Sequence, residues 1–419
     1  MTLLGHNAAA MDQPAPIRSE RTIIFLVSSI QFINILDFMM VMPLGPDFAA
    51  SLSIPLSHLG WIGGSYTAAA AISGMAAASF LDRFDRRKAL AVAMLGLVIG
   101  TLMGGLATGL GSLIAARVVA GAFGGPATSL SLSIVADIVP PERRGRAMGA
   151  VMAAFSVASV LGVPAGLWLS QVGGWRLPFF GVSGLGLLVT GAALFVMPAM
   201  TKHLEATQAH ATTARELLAR PTVLYALASV LTMMIGLFLV IPNFSSFLQH
   251  NLHYPRENLG QLYMMGGAVS FAMNRLVGGL VDRFGPTLMA TIGTVLSSVA
   301  LILGFVVAPV LFPPAVTFIT FMGAGSFRGV ALNTLTSRVP GPRERARYMS
   351  TQSAVQHLAS AAGAMIGSLM LTELADGTVA GMRTVCLVSA VIGLGLPLLL
   401  AKVAAEVKAS AERAAPAVS

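Results

Sequence analysis

The first long apolar run of the chain contains one acidic residue, in the stretch Asn34-Ile35-Leu36-Asp37-Phe38-Met39-Met40. An ionised carboxylate facing lipid would cost about 2.5–3.5 kcal/mol on insertion scales, so Asp37 must face the interior of a bundle. Gln31, Asn34 and Asp37 recur at three-residue intervals, which places them on one polar stripe of a helix that could line a wet cavity. Burial favours a neutral carboxyl and a neighbouring cation favours the carboxylate, so a group held between the two can take up and release a proton. Arg117, Arg275 and Arg328 also lie inside apolar runs. Arg117 falls ~8 Å and Asp37 ~14 Å from the matching ends of their runs at the helical rise, a difference that a long arginine side chain can bridge. Enzymatic chemistry finds no footing: there is no His/Cys spacing for a metal, no Gly-rich phosphate loop between a strand and a helix, and no nucleophile with its base. Cys386 is the single cysteine, which excludes a disulfide framework within one chain.

These residues need a bundle of spanning helices to position them, and the composition demands one. Of 419 residues, 55% are hydrophobic and 10% charged, with mean hydropathy +0.79, against about 25% charged residues in a soluble domain. A soluble globular enzyme is excluded. A crossing takes about 20 apolar residues. Apolar runs predict spans near 22–46, 59–81, 89–109, 112–139, 147–170 and 178–199, then near 222–248, 259–281, 287–309, 314–337, 348–372 and 382–404. The expectation is an all-α membrane protein with twelve spans in two bundles of six, 22–199 and 222–404, joined by a polar linker 200–221. The flanking tails are 1–21 and 405–419. Residues 1–20 lack the apolar centre and cleavage site of a secretory signal, so the first run is expected to be retained. Within the linker, Arg215, Glu216, Leu217 and Leu218 allow a short surface helix, with a solvated connector as the favoured expectation.

The net charge of +9 is a matter of topology. Twenty of the 26 Lys and Arg, counting Lys402 at the edge of the last span, fall in the tails, the linker and the loops on their side. The opposite loops hold only Arg176, Arg256 and Arg383. By the positive-inside rule both tails are expected in the cytoplasm, with the chain in a plasma or bacterial inner membrane. This basic excess carries no expectation of nucleic-acid binding.

Two halves share one plan. Asp82-Arg83-Phe84 recurs as Asp282-Arg283-Phe284, Leu59-Gly60 as Leu259-Gly260 and Val139-Pro140 as Val339-Pro340, all at an offset of 200, while Gly162 and Gly166 find counterparts in Gly363 and Gly367 at 201. Four matches in order indicate an internal duplication. Duplicated membrane proteins place a transport site between their repeats.

With six plus six spans and a charged turn after the second and eighth, the chain resembles the major facilitator superfamily over roughly residues 20–405. Its signature turn is met by Gly278, Leu280, Asp282, Arg283 and Gly285 in the second half and by Phe80, Asp82, Arg83, Arg86 and Arg87 in the first. Ala78 and Asp85 stand where the first copy should have glycine, and Pro286 and Thr287 where the second should have basic residues. Arg117 and Gly121 fit the family's Arg-x-x-x-Gly spacing, and Gly162-Val163-Pro164-Ala165-Gly166 followed by Gly174-Trp175-Arg176 resembles the drug and sugar efflux permeases, which are antiporters.

The resemblance implies that the first and fourth helices both face the central cavity, so that Arg117 could tune the protonation of Asp37; a static buried pair is the alternative. It implies that Asp82, Arg83, Arg86 and Asp137, with Asp282 and Arg283, form a solvent-reached cytoplasmic gate, where bland anchoring is the alternative. Gly162, Pro164 and Gly166 would give helix 5 a bend and close packing. Arg275, Arg328 and Asn333 have no charged or matching counterparts 200 residues earlier, where Met75, Thr128 and Ser133 stand. Arg328 and Asn333 are therefore candidates for substrate contact, and Arg275 for the second gate cluster. Gln31, Asn34 and His357 complete the cavity candidates, His357 being expected as a satisfied interior residue. The expected activity is proton-coupled efflux of a small molecule by a chain that works as a monomer without cofactor or metal. An importer or symporter of the same fold would use Asp37 equally, and a receptor or scaffold would be expected to carry a larger soluble part than the 22-residue linker.

Overall fold

A computed structural model of the chain describes residues 20–201, 214–307, 310–341 and 344–414. Backbone polar groups in a bilayer must be satisfied within their own segment, and the chain answers with long helices. In the first half these are α1 (Glu20–Met40), α2 (Leu59–Phe80), α3 (Arg86–Gly105), α4 (Leu110–Ile138), α5 (141–173, in pieces) and α6 (Arg176–Val196). In the second they are α7 (Pro221–His250), α8 (Leu259–Phe284), α9 (Pro286–Val306), α10 (Pro314–Thr336), α11 (Arg345–Leu369) and α12 (Met382–Ala414). Ten of the twelve are long and apolar enough to cross a membrane. Their outward faces are oily, with Phe195 88% and Leu188 72% exposed.

The two exceptions, α2 and α11, explain themselves by their neighbours. A Cβ on Gly121 or Gly125 of α4 would sit 2.2 Å from Tyr66 O or 2.3 Å from Ala70 O of α2, and one on Gly60 of α2 would sit 2.1 Å from Ala364 O of α11. One on Gly367 of α11 would sit 2.5 Å from Leu239 O of α7. Helices sandwiched this closely need small residues on two faces, which lowers their hydropathy without moving them to the surface. The α2–α11 pair joins the halves, and Gly60 N–H, an orphan donor of the first turn of α2, donates to Ser368 Oγ across that seam at 2.8 Å. On the far side α5 meets α8, where a Cβ on Gly267 would come within 2.8 Å of Ser159 Oγ. The duplication is visible in packing too: Gly162 of α5 faces Leu36 of α1, as Gly363 and Gly367 of α11 face Ile235 and Leu239 of α7.

Several boundaries depart from the sequence expectation. The first span ends at Met40 instead of 46, and a turn leads into a separate short helix, Gly45–Leu52, with Pro46 in its first turn. The basic stretch 141–146 is the start of α5, because Pro141 at the first helical position suits a helix N-terminus. The last helix runs on to Ala414, well into the expected tail. Residues 202–213 of the linker lie outside the described residues, and so do 1–19 of the first tail. The linker's short-helix alternative is the one adopted: Ala214–Leu218 is helical, and Leu217 is buried. Between α11 and α12 a two-stranded hairpin, β1 (Thr372–Glu373) and β2 (Val379–Ala380), caps the end of the molecule away from the termini.

Candidate functional site

Asp37 lies in the last turn of α1, not mid-helix as the longer expected span placed it, and it is fully buried because the chain folds back above it. Arg117 of α4 meets it with both ends of its guanidinium, Nη1 donating to Oδ1 at 3.0 Å and Nη2 to Oδ2 at 2.9 Å. Thr101 Oγ1 of α3 sits 2.7 Å from Asp37 Oδ1 and 2.9 Å from Leu97 O. One hydroxyl proton cannot serve both acceptors fully, so Thr101 stands between the carboxylate and its own helix backbone. The guanidinium carbon of Arg117 lies 4.6 Å from the ring centroid of Tyr66 on α2, a cation–π contact that holds the arginine from the other side.

Tyr66 ties this pair to the rest of the stripe. Its hydroxyl donates to Asn34 Oδ1 at 2.5 Å, and Asn34 Nδ2 donates to Gly124 O and Thr128 Oγ1, both at 2.8 Å. Gly124 must lack a side chain, since a Cβ would meet the Tyr66 hydroxyl at 2.5 Å. A single polar network thus runs through α1, α2, α3 and α4. Sequence reasoning found Asp37, Arg117 and Asn34. It missed Tyr66 and Thr101, whose only signal was a hydrogen-bonding side chain in an otherwise small or oily helix. Gln31 is buried beside this network, but its Oε1 has no partner within it.

Helix 5 carries its expected bend in an unexpected form. Ala158–Gly162 is a π-turn, closed by Val163 N–H donating to Ala158 O. The wide turn absorbs the donor that Pro164 cannot supply. Gly162 accepts Leu36 of α1 against its backbone, and Gly166 lies near Met40 Cβ at the distance of ordinary contact.

In the second half Arg328 of α10 is 3% exposed. Its Nη1 donates to Ser297 Oγ of α9 at 3.1 Å and its Nη2 to Met233 O of α7 at 3.4 Å. Asn333 is exposed farther along α10, and His357 is half-buried on α11; neither joins Arg328. Arg275 is exposed on α8 with its guanidinium 5.4 Å from the Phe271 ring centroid, so its nearest described contact is aromatic instead of the expected gate cluster.

At the end bearing the termini, Arg86 pairs with Asp137 at 2.6 Å and is 8% exposed, so it is buried where a solvent-reached cluster was expected. The side chain of Asp82 lies outside the described residues; Arg83, Asp282 and Arg283 are exposed. The two copies of the signature turn differ for a backbone reason. Gly285 has φ +86°, a left-handed conformation that suits glycine. Asp85 has φ −54° and caps α3, its Oδ1 accepting from Arg87 N–H at 2.9 Å and from Met200 N–H at 3.1 Å. The aspartate is thus an N-cap in a turn that does not need glycine. Among the described residues, the pairs Arg86–Asp137, Arg143–Glu20 and Arg220–Glu344 at this end do not join helices of the two halves.

The opposite end is latched across the halves. Arg256, before α8, makes a bidentate pair with Asp47 of the short helix and donates to Ser170 Oγ of α5 at 2.7 Å. Leu56 N–H donates to Glu373 of the hairpin at 2.9 Å, and Ser245 Oγ of α7 donates to Pro43 O at 3.3 Å. The sequence signal for this latch was an acid and a base in loops otherwise poor in charge.

The profile of the Major Facilitator Superfamily matches residues 27–364 and 235–418. An uncharacterised MFS-type transporter of Mycobacterium tuberculosis, Rv1250, is 34% identical over 172 residues, 41% of this chain and 30% of the relative, so the chain spans under a third of that protein's length. The chloramphenicol resistance protein of Streptomyces lividans is 26% identical over 79% of this chain and 84% of its own. The fold is that of a bacterial homologue of the human lysosomal transporter Spinster, solved inward-facing and occupied, with TM-score 0.74 at 18% identity over 94% of this chain and 98% of that one. With its duplicated helical halves and the profile matching nearly end to end, the chain belongs to the Major Facilitator Superfamily.

Proposed function

We propose that the protein is a proton-coupled exporter of a small molecule, acting as a monomer in the plasma or bacterial inner membrane with both termini in the cytoplasm. The observation that carries this reading is the buried Asp37–Arg117 pair, tied by Thr101, Tyr66 and Asn34 to four helices. When a proton reaches Asp37, the ionic half of the pair is lost. The protonated carboxyl can then donate to Thr101 Oγ1, leaving the Thr101 proton to Leu97 O, while Arg117 is released toward Tyr66. Loading one site thereby changes how α1, α3 and α4 hold each other, the differential contact an alternating-access cycle requires.

The latch Asp47–Arg256–Ser170 closes the end away from the termini. With the termini cytoplasmic, this is the inward-facing member of the cycle; Arg86–Asp137, already paired within the first half, anchors the gate that Arg83, Asp82, Asp282 and Arg283 complete when the other side closes. Gly162, the π-turn and Pro164 give α5 its pivot beside α8. Export is supported by the helix-5 motif and by the resistance function in the name of the Streptomyces relative. The test is transport in proteoliposomes with an imposed pH gradient. An acid exterior should drive net outward movement of a transported compound, counted from the termini side, and Asp37→Asn should abolish the driven component. Accumulation of the compound together with protons would make the protein a symporter instead.

A further inference from the structure

Four residues that carry a charge at neutral pH are buried among the described residues: Asp37, Arg86, Arg117 and Arg328. Asp37 neutralises Arg117, and Asp137 neutralises Arg86. Arg328 has no carboxylate among its described partners, only the Ser297 hydroxyl and the Met233 carbonyl, and its Nε is buried with no partner at all. Guanidinium cannot shed its charge in a protein, so among the described residues Arg328 leaves one positive charge in the bundle interior without a carboxylate partner.

Packing alone does not call for that charge. The residue 200 positions earlier is Thr128, which joins α4 to α1 through a neutral hydrogen bond to Asn34 at 2.8 Å. Arg328 makes the corresponding link, α10 to α7, and adds a cation. Ser297 Oγ accepts from Arg328, which leaves its own hydroxyl proton to be donated. A fixed guanidinium with an unused N–H, beside a hydroxyl that can donate, is the donor set that receives a carboxylate.

We infer that Arg328 and Ser297 form a binding site for an anionic substrate group, a carboxylate, so that the transported molecules are organic anions. This rests on the exporter reading for its direction but not for its chemistry. Export of a monoanion in exchange for a proton would move two charges per cycle, so transport would respond to membrane potential as well as to the pH gradient.

The experiment measures binding without a gradient. Purified full-length chain in lipid nanodiscs is titrated with benzoate, salicylate and nicotinate and with their neutral amides, and thermal unfolding midpoints are recorded, since a ligand that binds only the folded state raises the midpoint. At least one carboxylate should raise the midpoint where its amide does not. Arg328→Gln should weaken that response about tenfold or more, as expected for loss of hydrogen bonds to a charged group. Ser297→Ala should weaken it by a smaller factor, Arg328→Lys should retain part of it, and Asp37→Asn should leave it in place. If no carboxylate surpasses its amide, if Arg328→Gln responds as the parent does, or if chloride or inorganic phosphate at equal ionic strength gives the same shift, the inference is overturned. Should Arg328→Gln fail to fold, Ser297→Ala decides: an unchanged carboxylate response overturns the inference and a weakened one supports it. Because no gradient is applied, a failure of proton coupling leaves this result intact and is seen separately in the transport assay.

Discussion

Removing the charge of Asp37 separates a structural ion pair from a working proton site when it is done twice over. In Asp37→Asn the Arg117 guanidinium loses a bidentate partner at 2.9 and 3.0 Å while remaining 1% exposed. The lost attraction is ~4 kcal/mol for charge centres about 4 Å apart at an effective dielectric constant near 20, in line with the ~3–5 kcal/mol typical when one member of a buried pair is removed. In the double variant Asp37→Asn/Arg117→Gln both charges go. Asn and Gln can bond each other and Thr101, so the desolvation cost goes as well and most of the stability should return. The assay measures unfolding free energy in detergent and gradient-driven transport in proteoliposomes on the same three proteins. Stability should fall by ~3–5 kcal/mol in the single variant and recover to within about 1–2 kcal/mol in the double, with driven transport lost in both. Driven transport that returned together with stability in the double variant would refute the proton-site reasoning and leave a static pair that only orders the bundle.

Other outcomes follow from the same geometry. Gly121→Ala would push a Cβ to 2.2 Å from the Tyr66 carbonyl, a contact with backbone that cannot swing away; α2 and α4 must separate, and thermal unfolding should show a loss of about 1–3 kcal/mol or more. Tyr66→Phe removes the donor to Asn34 but keeps the ring over Arg117, so it should cost about 1–3 kcal/mol while driven transport persists, whereas Tyr66→Ala should impair both. Asp47→Asn or Arg256→Gln should open the latched end. A cysteine introduced by Gln249→Cys, near that latch, should then react several-fold faster with an impermeant maleimide, and an unchanged rate would show that the latch does not hold the halves. Gly285→Ala, forced to φ +86°, should destabilise by about 1–3 kcal/mol, and the same measurement on Asp85→Ala should show about 1 kcal/mol from the lost cap.

The architecture was legible because its determinants are local and additive. Apolar run length marks each span, the Lys/Arg distribution marks one side, and a constant offset marks the duplication. The site was half legible. Asp37 and Arg117 are conspicuous because a charge in hydrocarbon needs a reason, and that reason is each other. Tyr66 and Thr101 are invisible at this level, since a hydroxyl in a helix is cheap wherever it points and only three-dimensional packing aims it at Asp37. The end of α1 was misplaced because Val41–Leu44 is as oily as the helix before it, and hydropathy does not see a turn. α2 and α11 were expected as spans although their small residues lower their hydropathy, and those same residues let α2 and α11 approach each other and their neighbours closely. Arg86 was taken as solvated because its motif sits at a helix end, yet Asp137 and the Met200 backbone enclose it.

The proposed proton uptake by Asp37, with release of Arg117 and its return when the proton leaves, is read directly by infrared difference spectroscopy of the full chain in lipid bilayers. On acidification a carboxylic C=O stretch should appear, be absent in Asp37→Asn, and shift when Thr101→Val removes its hydrogen-bonding partner. A spectrum in which acidification produces no such band, or one that Asp37→Asn leaves unaltered, would contradict the account.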